Sequence, residues 1–290
     1  MQITSGRSPS LATLLKLGRV SNLPTVVTNV LTGTVLAGGT VWGWRTGLVL
    51  LAMTSFYLGG MYLNDYCDRA IDARERPQRP IPAGDISPRA VGSAGIVMLG
   101  FGVALLMLTG VAAAVVGVAL ALAIMGYDAF HKGNPAAPIV MGLCRALVYG
   151  AAASAATSAV PLGVGLAAVA LLAYVAGLTY AARQENFNRV DNLWPLALLA
   201  IPLLVAWPWN VGASAVLIYL ALIACVAFAV YLLATRPMPD AVPRAVGLLI
   251  AGISLLDAAL LAGSGALMPA LLAALGFPAT LLLHKLVPGT

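Results

Sequence analysis

Three aspartates in one short stretch are the residues of this chain best suited to chemistry. Asp65, Asp68 and Asp72 are three of only ten acidic residues, and they directly follow a long apolar segment. Their spacing of three and then four residues places them on one face of a helix. Carboxylates this close repel one another unless a cation is shared among them, and Mg²⁺ binds a few carboxylates while keeping other positions for water or phosphate. The stretch therefore predicts a binding site for a diphosphate together with its metal ion.

A basic, proline-rich loop follows the aspartates. Arg76 and Arg79 lie in it together with Pro77, Pro80 and Pro82. Because proline fixes φ and lacks an amide donor, the helix cannot continue here, and we expect the loop to fold back as a stiff lid. Its guanidinium groups can take phosphate oxygens in forked hydrogen bonds. The alternative is a solvated loop whose arginines only set membrane topology.

The rest of the chain is apolar enough to predict an all-α, multi-pass membrane protein. It has 290 residues, of which 61% are hydrophobic and 9% charged, with a mean hydropathy of +0.95. A helix needs about 20 apolar residues to cross the bilayer. Ten such segments, which we expect to form one domain over residues 1–290, lie near 24–42, 46–63, 90–108, 111–127, 138–157, 162–182, 193–207, 213–235, 245–263 and 267–283.

The positions of lysine and arginine predict which way the chain is inserted. Every even-numbered connection between the ten segments is basic, whereas the odd-numbered ones carry only Arg45. Since cytoplasmic loops collect positive charge, both termini and the aspartate face should be cytoplasmic, in the cell (inner) membrane. The net charge of +6 favours contact with membrane lipids or an anionic substrate. It is scattered over loops without a basic domain, which argues against nucleic-acid binding.

The motif NDxxDxxxD at residues 64–72, followed by RPIPAG at 79–84, resembles the UbiA superfamily of intramembrane prenyltransferases. The resemblance implies nine helices around a cavity open to the membrane, with two Asp-rich loops that hold an allylic diphosphate through Mg²⁺. Asn64, Asp68 and Asp72 match the family's diphosphate and metal positions, with Asp65 beside them. The resemblance covers the first nine segments, so the tenth would be an addition.

A second polar loop resembles the family's tyrosine followed by basic side chains. It contains Tyr127, His131 and Lys132. The resemblance implies that Lys132 contacts phosphate and that Tyr127 belongs to the substrate site. His131 could act as a general base, because imidazole titrates near neutral pH, or could be a polar surface residue.

The family's second acidic motif, DxxxD after the sixth segment, is missing. Glu185 and Asp191 could still hold a metal there, with Asn188 as a neutral oxygen ligand, or Arg183 and Arg189 could replace metal charge. A loop without metal is the alternative. This departure, together with the tenth segment, is similar to EboC-type proteins of bacterial secondary-metabolite clusters.

Two charges fall inside apolar segments. Arg145 lies in the fifth and Asp257 in the ninth, and each would cost about 3 kcal/mol at the bilayer centre if it faced lipid. Tyr149 stands one helical turn after Arg145, so the two can line one wall of a substrate site. Arg145 could anchor an anionic part of the acceptor or diphosphate, or it could form a structural pair with Asp257.

These features predict Mg²⁺-dependent transfer of an isoprenyl group from an allylic diphosphate to an aromatic or other small, polar acceptor within the membrane. The alternative is a non-catalytic component that binds or transports a lipid or metabolite on the same frame. An alcohol phosphotransferase is disfavoured, because its DG and AR pairs are absent from the aspartate motif.

Overall fold

The computed structural model describes residues 9–183, 192–208, 212–287 and 289, and within them all regular structure is helical. The helices are α1 (Leu11–Leu17), α2 (Leu23–Leu36), α3 (Trp44–Glu75), α4 (Pro88–Thr109), α5 (Val111–Phe130), α6 (Ala137–Thr157), α7 (Leu162–Ala182), α8 (Ala200–Val205), α9 (Ala213–Thr235), α10 (Ala241–Gly263) and α11 (Leu267–His284). Short 3₁₀ helices at Val20–Asn22 and Trp194–Leu199 precede α2 and α8.

Eight of the helices in the described residues are long and apolar enough to cross a membrane, namely α3 to α7 and α9 to α11. The first and seventh of the ten predicted segments form shorter helices and are not among these eight. Helix α2 has 14 residues, which is a length of about 21 Å at 1.5 Å per residue. The 3₁₀ and α segments at 194–205 have six residues each and together also reach only about 21 Å. Each is shorter than the hydrocarbon layer of about 30 Å. The 3₁₀ helix Val20–Asn22 extends α2, and Arg19 before it contacts Asp65 near the end of α3, so the chain still runs the length of the bundle here.

Glycine and proline explain both short elements. After α2, Gly38 has φ +83°, a left-handed conformation that L side chains rarely adopt, and the helix cannot continue through it. In the seventh segment, Pro195 and Pro202 lack amide donors, and the first of them lies at the start of the 3₁₀ helix. The apolar composition of these segments indicated membrane burial, but it did not measure helix length.

Helix α3 is longer than a membrane span requires, and the aspartates lie near its C-terminal end. Its 32 residues extend about 48 Å, well beyond the hydrocarbon thickness. The aspartate stretch is therefore the last part of one continuous helix. The helix ends at Glu75. The amide of the following residue, Arg76, donates to the Asp72 carbonyl oxygen at 2.8 Å, directly before Pro77.

Small residues let the helices approach closely around a central cavity. A Cβ on Gly59 of α3 would lie 2.9 Å from the carbonyl oxygen of Gly95 on α4, so this crossing has no room for a larger residue. One apolar core is built from helices α2 through α6. A second is built from α6, α7, α9 and α10. The cavity lies where the two cores meet.

Candidate active site

A cavity of about 760 Å³ opens at the end of α3 and continues between the helices. Its inner wall is largely apolar, and its mouth is charged. The inner wall includes Val26, Met53, Phe56, Leu120, Ile124, Val148 and Ile253. The mouth includes Arg19, Asn64, Asp68, Asp72, Arg76, Arg79, Tyr127, Asp128, His131, Lys132 and Arg183. An amphiphile with a charged head and an apolar tail matches this division.

The structure places the three aspartates on one face of α3, where each side chain is engaged by bases. Asp65, Asp68 and Asp72 are only 6%, 6% and 5% exposed. Arg79 Nη1 bridges Asp65 Oδ1 at 3.0 Å and Asp72 Oδ2 at 3.2 Å. Lys132 Nζ lies 3.2 Å from Asp68 Oδ2. The repulsion expected among the carboxylates is thus offset by cations from two other segments.

The proline-rich loop folds back over this face, as its composition predicts. Gly84 takes φ +81° where the chain turns, and Ser87 then caps α4 by accepting a hydrogen bond from the Ala90 amide at 3.2 Å. The turn brings Arg79 onto the aspartates and leaves Arg76 at the cavity mouth. Burial lowers the pKa of Arg79 from its usual value, with Arg19 adding to the effect, but a guanidinium stays charged at neutral pH.

The end of α5 supplies the other side of the mouth. Tyr127 stacks on His131 with ring centroids 4.9 Å apart. His131 Nε2 lies 3.5 Å from Asp68 Oδ2, and its Nδ1 lies 3.2 Å from the Tyr127 carbonyl oxygen. His131 is therefore a partner of Asp68, together with Lys132, rather than an isolated surface residue.

Arg19 is a site residue that sequence reasoning counted only as a topology charge. Its Nη2 donates to Asp65 Oδ1 at 3.1 Å and lies 3.5 Å from Asn64 Oδ1. Its backbone has φ 40°, an uncommon conformation for a residue other than glycine and one often found at functional sites. No sequence pattern signalled this contact, because 46 residues separate Arg19 from Asp65.

Asp128 is a second residue that sequence reasoning did not assign to the site. It is 6% exposed, and its Oδ1 accepts a hydrogen bond from Asn64 Nδ2 at 3.2 Å. Its Oδ2 is buried without a hydrogen-bond partner. The contact orients the Asn64 amide so that Oδ1 points to the Arg19 side. The sequence offered one signal for Asp128, because it directly follows Tyr127, which was predicted to belong to the site.

The mouth offers oxygen donors to a cation, but they are not gathered into a closed metal site. Within residues 9–183, 192–208, 212–287 and 289, no group of three or more His, Cys, Asp or Glu is placed to hold a metal. Glu185, Asn188, Arg189 and Asp191 lie outside the described residues. Arg183 is described at the cavity mouth, where its Nη1 donates to the Asn134 carbonyl oxygen at 2.8 Å.

The intramembrane charges form a linked network. Arg145 lines the cavity, and its Nη1 donates to Asn29 Oδ1 at 3.1 Å. Asn29 Nδ2 in turn donates to Asp257 Oδ2 at 2.8 Å, so Arg145 and Asp257 are joined through an amide rather than in direct contact. Tyr149 corrects the expectation of a shared wall. It is fully buried, and its hydroxyl donates to Asp257 Oδ1 instead of facing the cavity.

Several known proteins that are similar to this chain share one name, digeranylgeranylglyceryl phosphate synthase. The digeranylgeranylglyceryl phosphate synthase of Halobacterium salinarum is 32% identical over 213 residues, which cover 71% of this chain and 73% of that protein. Three other synthases of the same name match over 30%, 61% and 52% of their own length.

Solved structures show the same fold. A UbiA homologue from Aeropyrum pernix K1 superposes with a TM-score of 0.70 at 17% identity, covering 83% of this chain and 97% of that one. A UbiA homologue from Archaeoglobus fulgidus, bound to GPP and Mg²⁺, has a TM-score of 0.64 at 14% identity, covering 88% of this chain and 99% of that one.

The family model described as the UbiA prenyltransferase family matches residues 26–244. This range contains the aspartate face, the basic loop and the end of α5. It ends near the start of α10 (Ala241–Gly263), so the expectation that the resemblance covers nine segments and that the last helix is an addition stays a prediction. The EboC-like subdivision stays a prediction. With the fold, the cavity and the family match in agreement, the chain belongs to the UbiA prenyltransferase family.

Proposed function

We propose that this protein transfers an isoprenyl group from an allylic diphosphate, in a Mg²⁺-dependent reaction, to a small acceptor within the membrane. One observation carries the proposal. Asp68 and Asp72 are buried at the charged mouth of a cavity whose inner wall is apolar. Such a cavity places a diphosphate among charges and its isoprenoid tail among hydrocarbon side chains.

The cations at the mouth are the donor's phosphate contacts in this proposal. Lys132 and Arg79 already lie beside carboxylates, while Arg76 and Arg183 line the same opening. Each presents N–H groups that form short, charge-assisted bonds to phosphate oxygens. Tyr127 closes the same side of the opening and contributes to the substrate-binding surface.

The donor atoms fit a hard cation. Asp68 and Asp72 supply carboxylate oxygens, Asn64 an amide oxygen, and Asp128 a buried oxygen without a hydrogen-bond partner. Mg²⁺ is usually held by one or two carboxylates together with substrate phosphates and water, which agrees with a site that is open until the diphosphate arrives. When bound, Mg²⁺ would draw charge from the diphosphate and ease its departure. Glu185 and Asp191, with Asn188, remain the proposed second set of ligands.

Side chains of the protein stabilise the leaving group and shield the allylic cation during transfer. As the allylic C–O bond breaks, its electron pair leaves with the diphosphate, and Lys132 and Arg79 bind the added charge. The apolar wall, including Phe56 and Leu120, excludes water from the allylic cation. A nucleophilic carbon or oxygen of the acceptor forms the new bond, and the adduct then loses a proton. Asp65 positions Arg79, with which it forms an ion pair.

The acceptor class is left open by the relatives. Their name denotes a glyceryl phosphate product, whereas the sequence motif predicts an aromatic or other small, polar acceptor. Both classes fit a cavity of this size and polarity. We further propose that the charged mouth and both termini face the cytoplasm, because the basic connections lie at this end of the helices.

A binding protein without turnover is the second candidate. It is favoured by the loss of the second DxxxD motif, whose region reads Gln-Glu-Asn-Phe-Asn-Arg-Val-Asp at 184–191. Such a protein would bind the allylic diphosphate and membrane lipid but release no diphosphate.

Purified protein in lipid nanodiscs distinguishes these functions. Geranyl diphosphate and Mg²⁺ are added with a panel of hydroxyaryl and glyceryl phosphate acceptors, and donor binding, prenylated product and released diphosphate are measured. We expect Asp68→Asn to lower the transfer rate by about 100-fold or more, since it removes charge at the leaving group's site. Asp85→Asn, at an exposed loop position, is the matched control. Absence of donor binding contradicts the proposal, and binding without product favours the second candidate.

A further inference from the structure

We infer that a second cavity, formed by α9, α10 and α11, is a binding site for an anionic phospholipid. Its volume is about 440 Å³, within the range of about 300–1,000 Å³ that is usual for small-molecule sites. The described residues that line it have no member in common with those that line the central cavity. The inference therefore goes beyond prenyl transfer and does not depend on it.

The wall of the second cavity is apolar and reaches the lipid-facing surface of the bundle. It includes Phe228 and Leu232 of α9, Leu248 of α10 and Leu281 of α11. Phe228 is 53% exposed, and one turn further along α9 Tyr231 is also exposed. Because the outer surface around the opening is apolar, a molecule that enters here comes from the hydrocarbon of the membrane.

The second cavity lies at the ends of its three helices, where the headgroups of a bilayer begin. Helix α9 ends at Thr235, α10 begins at Ala241 and α11 ends at His284. Phe228 is seven residues before the end of α9, which is about 10 Å along the helix. The upper part of an acyl chain can therefore occupy the cavity while its headgroup stays level with the helix ends.

Basic side chains surround these helix ends. Arg244 lines the cavity, and its Nε forms an ion pair with Asp240 Oδ2 at 2.6 Å. A guanidinium has five N–H donors, so the four on its two Nη atoms can bind a phosphate in a forked arrangement. Arg236 directly follows α9 and Lys285 directly follows α11, and both are exposed. Within residues 235–244 and 284–287, three strong bases thus accompany one acid, and this charge complements an anionic headgroup.

His284 adds a hydrogen-bonding atom to the second cavity. Its Nε2 lies 2.7 Å from Asn22 Oδ1, and Asn22 Nδ2 donates to the Gly289 carbonyl oxygen at 3.0 Å, which fixes the orientation of this amide. Nε2 is therefore the donor, and Nδ1 lies toward Gly247, where a Cβ would be 3.5 Å from it. Since Gly247 has no side chain, Nδ1 can accept a hydrogen bond from a headgroup hydroxyl, as in a glycerol headgroup.

Native mass spectrometry of the full chain in detergent measures lipid binding directly. The protein is titrated with dioleoyl phosphatidylglycerol and with dioleoyl phosphatidylcholine, which have the same acyl chains and differ in headgroup charge. We expect phosphatidylglycerol to bind about fivefold more tightly, the usual contribution of one basic side chain near an anionic headgroup. Geranyl diphosphate with Mg²⁺ should leave the bound lipid in place, because the central cavity is its site in the proposed function.

Variants then locate the lipid. Arg244→Gln should remove the preference for phosphatidylglycerol without changing the affinity for phosphatidylcholine. Gly247→Leu should lower the affinity for both lipids by on the order of tenfold, since leucine fills space that the acyl chain needs. If Gly247→Leu does not fold, Leu281→Trp narrows the same cavity from α11. The controls are Arg89→Gln, an exposed arginine in the first turn of α4, and Gly263→Leu, at the end of α10 where a Cβ meets nothing within 4 Å.

Four results would overturn the inference. They are equal affinities of the wild type for the two lipids, a preference that persists in Arg244→Gln, lipid affinities unchanged by Gly247→Leu or Leu281→Trp, and displacement of the lipid by geranyl diphosphate, which would place it in the central cavity. A dimer that Gly247→Leu dissociates would also overturn it, because this face would then be an interface between copies of the chain. Each of these results leaves prenyl transfer intact as a proposal, since that proposal fails if the wild type does not bind geranyl diphosphate with Mg²⁺.

Discussion

Replacing Arg79 by glutamine should change the affinities for metal and for diphosphate in opposite directions. Arg79 contacts two carboxylates at 3.0 and 3.2 Å, and its side chain is 16% exposed. It therefore competes with any cation for Asp65 and Asp72. In the proposed reaction the same guanidinium binds the diphosphate, so its removal weakens the site for the anion while freeing Asp72 for the metal.

The general energy of hydrogen bonds to charged groups sets the size of both effects. A hydrogen bond to a charged group contributes about 1.5–3 kcal/mol, which corresponds to a factor of about 10 to 100 in affinity. We expect Arg79→Gln to raise the affinity for Mg²⁺ alone by on the order of tenfold and to lower that for diphosphate by a similar factor. Asp65 keeps its 3.1 Å contact with Arg19, whereas Asp72 loses its 3.2 Å contact with Arg79.

Isothermal titration in detergent measures both affinities, with Mg²⁺ added to the free protein and inorganic diphosphate added at fixed Mg²⁺. Arg69→Gln is the matched control, because Arg69 is exposed on the same helix, where it contacts the Tyr66 carbonyl oxygen and ring. A parallel fall of both affinities would show that Arg79 acts by holding the loop together. Unchanged affinities would refute its place in the site.

Three further outcomes follow from the same geometry. Asp128→Asn should weaken diphosphate binding only when Mg²⁺ is present, since its buried, unpartnered oxygen is a cation ligand in the proposed function; an equal loss without Mg²⁺ would contradict this role. Chelation of Mg²⁺ should stop diphosphate release without lowering the unfolding temperature of the free protein, because Arg79 and Lys132 already neutralise the aspartates. Gly142→Ala should lower the stability in detergent by about 1–3 kcal/mol, since its Cβ would lie 2.5 Å from the Leu172 carbonyl oxygen; Gly165→Ala, which meets nothing within 4 Å, should not.

Local patterns in the sequence predicted the parts of the site that lie on one helix. The spacing of Asp65, Asp68 and Asp72 was sufficient because α3 continues as a regular helix to Glu75. Contacts between distant segments could not be predicted in this way. Arg145 is joined to Asp257 through Asn29, a residue 116 positions away in an apolar segment that gave no functional signal.

Local sequence patterns also failed to predict the lengths of α2 and of the helices at 194–205. Hydropathy reports which residues avoid water, and it correctly indicated that segments 24–42 and 193–207 are apolar. Their length as helices depends instead on single backbone positions, Gly38 in one and Pro202 in the other. Tyr149 was misplaced for a related reason. A spacing of four residues puts it on the same side of α6 as Arg145, but Asp257 on α10 draws its hydroxyl into the packed interior.

The charge balance of the mouth argues that metal and diphosphate bind together. Among the described residues that line the mouth, thus leaving out Arg145 deeper in the cavity, four acids face five strong bases, namely Asp68, Asp72, Glu75 and Asp128 against Arg19, Arg76, Arg79, Lys132 and Arg183. Mg²⁺ alone must displace bases from the aspartates, and diphosphate alone must approach acids. When both arrive, carboxylates turn to the metal and bases to the phosphates, so each ligand removes the obstacle to the other. Such reciprocity is a coupling free energy between two ligands. It also explains how a chain without the second DxxxD motif could retain donor binding, since arginine and lysine supply charge that a second metal would otherwise provide.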